Sequence, residues 1–177
     1  MTALVFDTSV LSHFARAGQL DTLRNVTDGF RRVTPAEVMR EVVAGISEHP
    51  GLASTVGVDW IDVVELELVS ELVAFARYKT EFGGGPERNN GEAAVLAWAS
   101  VHGGTVIVDD AVAARAARRG GISVHGTLWL VANGVRFGVL VRDDAEHIVD
   151  DLAATEMRLP VDGRGFFAWA YETGLLP

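Results

Sequence analysis

The chain contains no cysteine, which excludes disulfides and thiolate-bound zinc. It contains one lysine, Lys79, and its formal charge is −9, from 24 acidic against 15 basic residues. That sign does not favour non-specific binding to a polyanion, which relies on neutralising phosphates. A cluster of acids that holds metal contributes to such a total, however, and a bound cation reverses the local sign. The five histidines, His13, His49, His102, His125 and His147, show no HxxxH or HExxH spacing, so a histidine zinc site is not expected. Gly83-Gly84-Gly85 lacks the following Gly-Lys-Ser/Thr of a phosphate-binding loop. No apolar run is long enough to span a bilayer, and Met1 to Asp7 has no basic segment of the signal-peptide kind. A cytoplasmic location without membrane association is therefore expected.

What is present suits one domain over residues 1–177. Apolar residues make up 49% of the chain, enough for a core of its own. There is no internal repeat and no long linker; the breaker-rich stretch Gly83 to Gly91 reads as one mobile loop.

Leu4-Val5-Phe6 is a short apolar run that stops at Asp7. Thr8 and Ser9 then start a helix carrying Val10, Leu11 and Phe14 and closed by Gly18. Phe30 to Val33 reads as a second strand. Thr34-Pro35-Ala36-Glu37 has the form of a capping box, with Thr34 as the cap. Trp60 to Val64 reads as a strand, and Leu66 to Tyr78 as a helix burying Leu68, Leu72, Phe75 and Ala76. Glu92 to Ala99 is an alanine-rich helix. The β-branched run Thr105 to Val108 is a buried strand that ends in Asp109-Asp110. A helix over Ala111–Arg119, a strand over Ile122–Val124 and a helix from Gly126-Thr127 through Leu130 follow. Two more helices are expected over Asp144–Leu152 and Gly165–Gly174. Short apolar strands alternating with helices predict an α/β three-layer sandwich around a central parallel sheet, of the Rossmann-like kind. Functional groups in such sheets gather at the carboxyl ends of strands, and the two clearest strands here end in aspartate.

Asp7, Glu41, Glu92, Asp109 and Asp110 thus become candidates for one carboxylate group. Singly, each has an ordinary explanation: an aspartate after a strand is usually a turn former or cap, and Glu92 suits a helix N-terminus in any protein. Glu37 is assigned to the capping box. Together, carboxylates packed at one sheet edge repel each other, and a divalent cation relieves that repulsion. Mg2+ takes hard oxygen ligands and keeps several waters. Two such ions can promote in-line attack of water on a phosphodiester.

Several segments resemble one family. Val5-Phe6-Asp7-Thr8-Ser9-Val10-Leu11 looks like the opening of PIN domains. Thr34-Pro35 to Glu41-Val42, Gly91-Glu92-Ala93-Ala94 and Val106-Ile107-Val108-Asp109-Asp110 are similar to their later acidic segments. Arg115-Ala116 and Gly121-Ile122-Ser123-Val124 continue the last of these, and His125-Gly126-Thr127-Leu128 with the tail around Leu152 and Leu159 look like the branch of VapC-type toxin ribonucleases. The resemblance implies a metal-dependent endoribonuclease cutting single-stranded or loop RNA. Its catalytic residues would be Asp7, Glu41, Glu92 and Asp110, with Mg2+ or Mn2+ on Asp7, Glu92, Asp110 and, directly or through water, Asp109. Thr8 or Ser9 would steady Asp7 or a bound water, and Arg115 would contact phosphate. An antitoxin protein is the partner that this branch brings into view. Phe166 to Tyr171 reads first as core or as the surface of a homodimer.

Two enzyme rivals fall behind. A haloacid-dehalogenase-type phosphatase needs an aspartate where Ser9 stands. A receiver domain needs a lysine ending a late strand, and Lys79 lies in an expected helix. A non-catalytic PIN-fold module that binds protein or nucleic acid is the remaining alternative.

Overall fold

A computed structural model describes residues 2–86 and 88–177. Five parallel strands form its sheet: β1 (Ala3–Phe6), β2 (Arg31–Pro35), β3 (Asp62–Val64), β4 (Thr105–Ile107) and β5 (Ser123–His125), in the order β3-β2-β1-β4-β5. The helices are α1 (Thr8–Arg16), α2 (Leu20–Val26), α3 (Ala36–Ala44), α4 (Val69–Phe82), α5 (Asn90–His102), α6 (Ala111–Arg119), α7 (Thr127–Arg136), α8 (Arg142–Ala154) and α9 (Gly163–Glu172). Leu4, Val5 and Phe6 of the central strand have no exposed surface. Successive strand residues point to opposite faces, so both faces of the sheet are covered, as parallel sheets require. This is the α/β architecture expected, with helices enclosing a central parallel sheet.

The register places the site. Leu4, Val5 and Phe6 pair with Thr105, Val106 and Ile107, and the Asp7 N–H donates to the Ile107 carbonyl at 3.3 Å. The chain segments holding Asp7 and Asp109-Asp110 therefore leave the sheet side by side at the same edge. On the other flank β1 pairs with β2, which runs directly into α3. Helix α5 packs against β1, β2 and β4, with α4 packed on α5. Its buried run from Ala93 to Ala99 explains its alanine content, because small side chains let it lie close to the strands.

Four features differ from the expectations. Helix α2 was not anticipated; its seven residues, Leu-Asp-Thr-Leu-Arg-Asn-Val, are too few to show a helical period. Thr34 is not a helix cap: it lies in β2, and its buried hydroxyl donates to the Phe6 carbonyl at 3.1 Å. Pro35 occupies the cap position of α3, and Glu37 accepts a hydrogen bond from Arg40 instead of closing a capping box. Helix α4 turns a rotated face inward, sharing with the expected one only Phe75, which is partly buried against the core. Glu71, Ala74 and Tyr78 are buried, while Leu68, Val69, Leu72 and Val73 are exposed. Glu71 explains this rotation, because its carboxylate accepts the backbone N–H groups of Glu67 and Leu68 and meets His102 Nε2 at 2.7 Å. A buried carboxylate with three partners outweighs several half-covered valines and leucines.

The glycine-rich segment after α4 is pinned as well. Lys79 Nζ donates to the carbonyls of Gly85, Pro86 and Arg88, tying the described part of that segment to α4. Glu87, part of the loop as read from the sequence, lies outside the described residues.

The rotation of α4 predicts unequal tolerance along it. Leu72→Gln should change stability by no more than about 0.5 kcal/mol, as for ordinary surface substitutions. Ala74→Gln should cost about 1–3 kcal/mol by overpacking. Thermal melting of the two variants checks this, and similar losses in both would contradict the assigned face.

Candidate active site at the carboxyl edge of the sheet

Asp7 ends β1 and caps α1. Only 2% of its surface is exposed. Its Oδ2 accepts from the Ser9 hydroxyl at 2.8 Å and the Ser9 backbone N–H at 3.3 Å, while its buried Oδ1 has no partner among the described residues. Burial, and then the negative charge of Glu92, push the Asp7 carboxyl up to about 7, against the partial opposition of the Ser9 and Thr8 bonds. Buried polar groups are nearly always satisfied. A carboxylate oxygen left bare beside another carboxylate is thus a site prepared for a positive charge.

Glu92 lies in the first turn of α5. Burial raises its carboxyl above the ordinary value, and the neighbouring Glu41 and Asp110 raise it further, with Lys79 pulling the other way. Glu92 is therefore the hinge of the group, because it senses Asp7 on one side and Glu41 and Asp110 on the others.

Glu41 is held at both oxygens: the Thr8 hydroxyl donates to Oε2 at 2.5 Å and the Gly91 N–H to Oε1 at 2.9 Å. Ser9 thus steadies Asp7, and Thr8 steadies Glu41. Asp110 caps α6, its Oδ1 accepting from the N–H groups of Val112 and Ala113, each at 2.8 Å. Asp110 and Glu92 line a pocket of about 130 Å³ with Phe82, Asn89, Val112 and Ala113.

Asp109 does not join the group. Its Oδ1 accepts from the Thr127 N–H at 2.8 Å and its Oδ2 from the Thr127 hydroxyl at 2.6 Å, so it serves the start of α7. A carboxylate occupied in this way is poorly placed as a direct ligand, and successive residues leaving a strand point to opposite sides. Arg115 is exposed on α6, beyond Asp110. Glu37, one turn before Glu41, keeps a buried Oε2 without a partner, but Arg40 compensates its charge. Two contributors went unnoticed in the sequence, Gly91 and Lys79. The first stood in plain view within Gly91-Glu92-Ala93-Ala94, and the second was the only lysine.

Among the described residues no three acidic or histidine side chains are arranged to chelate an ion by themselves. Mg2+ keeps several waters and takes further oxygens from a phosphate, so one or two protein carboxylates can be enough to hold it. The unpartnered Asp7 Oδ1, beside a second carboxylate, fits that requirement.

A family model described as a PIN domain matches residues 3–163, and no curated protein matches the chain significantly. The chain belongs to the PIN-domain family, and its fold is of the nuclease type.

Two predictions arise from this geometry. Asp7 has a folded pKa near 7 against about 3.9 in an unfolded chain, so the folded state holds its proton more tightly. Its stability contribution is fully present below about pH 4 and is lost as pH rises toward 7. In EDTA, Asp7→Asn should therefore melt above the wild type by a margin that widens from pH 5 to pH 7 and then levels. A margin independent of pH would contradict the buried, repelled carboxylate. The second concerns Gly91, where an added Cβ would lie 2.7 Å from Glu41 Oε2 and from Thr8 Oγ1. Gly91→Ala should cost about 1–3 kcal/mol in the wild type. In a Glu41→Ala background it should cost far less or stabilise, since alanine suits a helix better than glycine. Denaturant unfolding of the four proteins measures this, and equal costs in both backgrounds would contradict the contact.

Proposed function

From membership in the PIN-domain family, we propose that the chain is a metal-dependent endoribonuclease that hydrolyses single-stranded or loop RNA. The observation that carries the proposal is the bare, buried Oδ1 of Asp7 beside Glu92. Such a carboxylate costs stability in the free protein, and a divalent cation meeting a phosphate returns that cost. Asp7, Glu92 and Asp110 would hold Mg2+ or Mn2+, and when bound the cation supplies positive charge to the phosphate oxygens that gain charge as water attacks. The protein's own residues set the geometry. Ser9 fixes Asp7 so that Oδ1 stays presented, and the α6 N-terminus fixes Asp110. Thr8 and Gly91 hold Glu41 as a charged wall behind Glu92. Glu92, whose proton affinity burial raises, would accept the proton of the attacking water. Splayed single-stranded RNA suits the pocket, because a phosphate must enter a narrow acidic recess that a duplex cannot.

The likeness to VapC-type toxin ribonucleases extends the proposal to an antitoxin partner and to a cytoplasmic setting. The sequence features that prompted it are His125-Gly126-Thr127-Leu128 and the tail around Leu152 and Leu159. Among the described residues no helix is long and apolar enough to cross a membrane.

The test is RNA cleavage in Mg2+ or Mn2+ by identically purified proteins. Wild type should cut a mixed single-stranded RNA pool. Asp7→Asn, Glu92→Gln and Asp110→Asn should each lose at least about 100-fold, the scale of removing one charged group from a phosphoryl-transfer site. Arg115→Ala should weaken RNA binding more than turnover. Equal cleavage by wild type and Asp7→Asn would identify a contaminant. A folded wild type that binds RNA and never cuts it would favour a non-catalytic PIN module.

A further inference from the structure

A second pocket is lined in part by Asp109, the neighbour of Asp110. It has a volume of about 260 Å³, and its lining includes Asp109, Arg118, His125, Trp129, Leu159 and Trp169. The His125 and Trp129 rings stack with centroids 4.5 Å apart and planes within 9°, and the edge of Phe30 braces Trp129 from another side at 6.5 Å. A rigid aromatic platform is thus built at the carboxyl end of β5, from the end of that strand and the first turn of α7. Trp169 reaches the same pocket from α9. Both tryptophans are only partly buried.

The two pockets are lined by consecutive residues. Asp110 lines the recess with Glu92, and Asp109 lines the aromatic pocket, with neighbouring Cα atoms only about 3.8 Å apart. Arg115 and Arg118 stand three residues apart on α6, on one side of that helix, and Arg118 is at the pocket itself. Resting on the nuclease reading above, we infer that this pocket takes one unpaired base of the RNA strand whose phosphate is cut at Asp7, Glu92 and Asp110. The base stacks among Trp129, His125 and Trp169, and Arg118 and Arg115 follow the backbone.

Three properties favour a base over an apolar peptide side chain. The volume is below the ~300–1,000 Å³ of pockets for drug-sized ligands, which suits a single planar ring system. The lining includes the guanidinium of Arg118, a planar cation that matches phosphate oxygens. Burial, and then Arg118, hold His125 below its ordinary value, so its ring is a neutral stacking surface at pH 7. Base-on-aromatic stacking needs no sequence-specific hydrogen bond, so the pocket supplies grip and register.

The experiment separates this inference from cleavage. Asp7→Asn protein in EDTA is titrated into a labelled single-stranded oligoadenylate, and into a series in which one base is removed to leave an abasic nucleotide. Removal at one position should weaken binding about tenfold, the scale of a single stacked base, with little effect elsewhere. Adding Trp169→Leu should weaken the intact oligomer similarly and leave that abasic oligomer unchanged. His125→Ala gives the same comparison if Trp169→Leu does not fold. Equal binding of all abasic oligomers overturns the inference and would suit a pocket filled by an apolar segment of a protein partner. Equal weakening of intact and abasic oligomers by both side-chain variants also overturns it. An abasic penalty without any cleavage by wild type would retain the base pocket and reject the nuclease. Cleavage without an abasic penalty would do the reverse.

Discussion

A carboxylate that burial has stripped of water, and that nothing in the protein neutralises, governs this structure. Asp7 is placed where the central strand ends, with the sheet behind it and α5 beside it. Its Oδ2 is held by Ser9 and its Oδ1 by none of the described residues. An uncompensated buried charge is among the most costly features a fold can carry. Burial and Glu92 push the carboxyl up to about 7, so the proton is held through the pH range in which an ordinary aspartate has lost it. The surrounding carboxylates make sense in that light. Glu41 is fully satisfied by Thr8 and Gly91, so it adds negative potential without competing for a ligand. Asp110 is anchored on one oxygen by the start of α6.

The topology makes this concentration of charge attainable. β1 lies between β2 and β4, and all three run in the same direction. Whatever follows each strand therefore emerges at one edge: Asp7 after β1, the α3 segment bearing Glu41 after β2, and Asp109-Asp110 after β4. Helix α5 comes to the same edge with its N-terminal turn, which delivers Gly91 and Glu92. The absence of a side chain at Gly91 lets Glu41 and Thr8 come within bonding distance of each other against the helix backbone. A family with this strand order places its acids by connectivity, and the sheet needs no long insertion to gather them.

The fold and most of the acids were legible in the sequence because they depend on local signals. Leu4 to Phe6 and Thr105 to Val108 are apolar runs stopped by aspartate, and parallel pairing of such strands follows from the alternation with helices. The features that escaped depend on long-range contacts. Nothing near Thr34 signals that its hydroxyl would bond across to Phe6 rather than cap a helix. The inward face of α4 is set by His102 on another helix, so a helical period of leucines pointed to the wrong side. Asp109 and Asp110 are adjacent and chemically identical. Only the position of Thr127, on a helix two elements later, decides which of them turns away. Lys79 went unrecognised for a similar reason: its three carbonyl partners belong to a loop whose path the sequence does not specify.

The proposed function requires that Asp7, whose carboxyl burial and Glu92 push up to about 7, gives up its remaining proton when a divalent cation binds. Metal binding to a protonated ligand must release that proton. Calorimetric titration of Mn2+ into the wild type, repeated in buffers of different ionisation enthalpy, counts the protons released at each pH. Release of about one proton per bound ion near pH 6, falling away above pH 7 and absent in Asp7→Asn, is the result the proposed function predicts. Binding without proton release at pH 6, or release that is unchanged in Asp7→Asn, would contradict it.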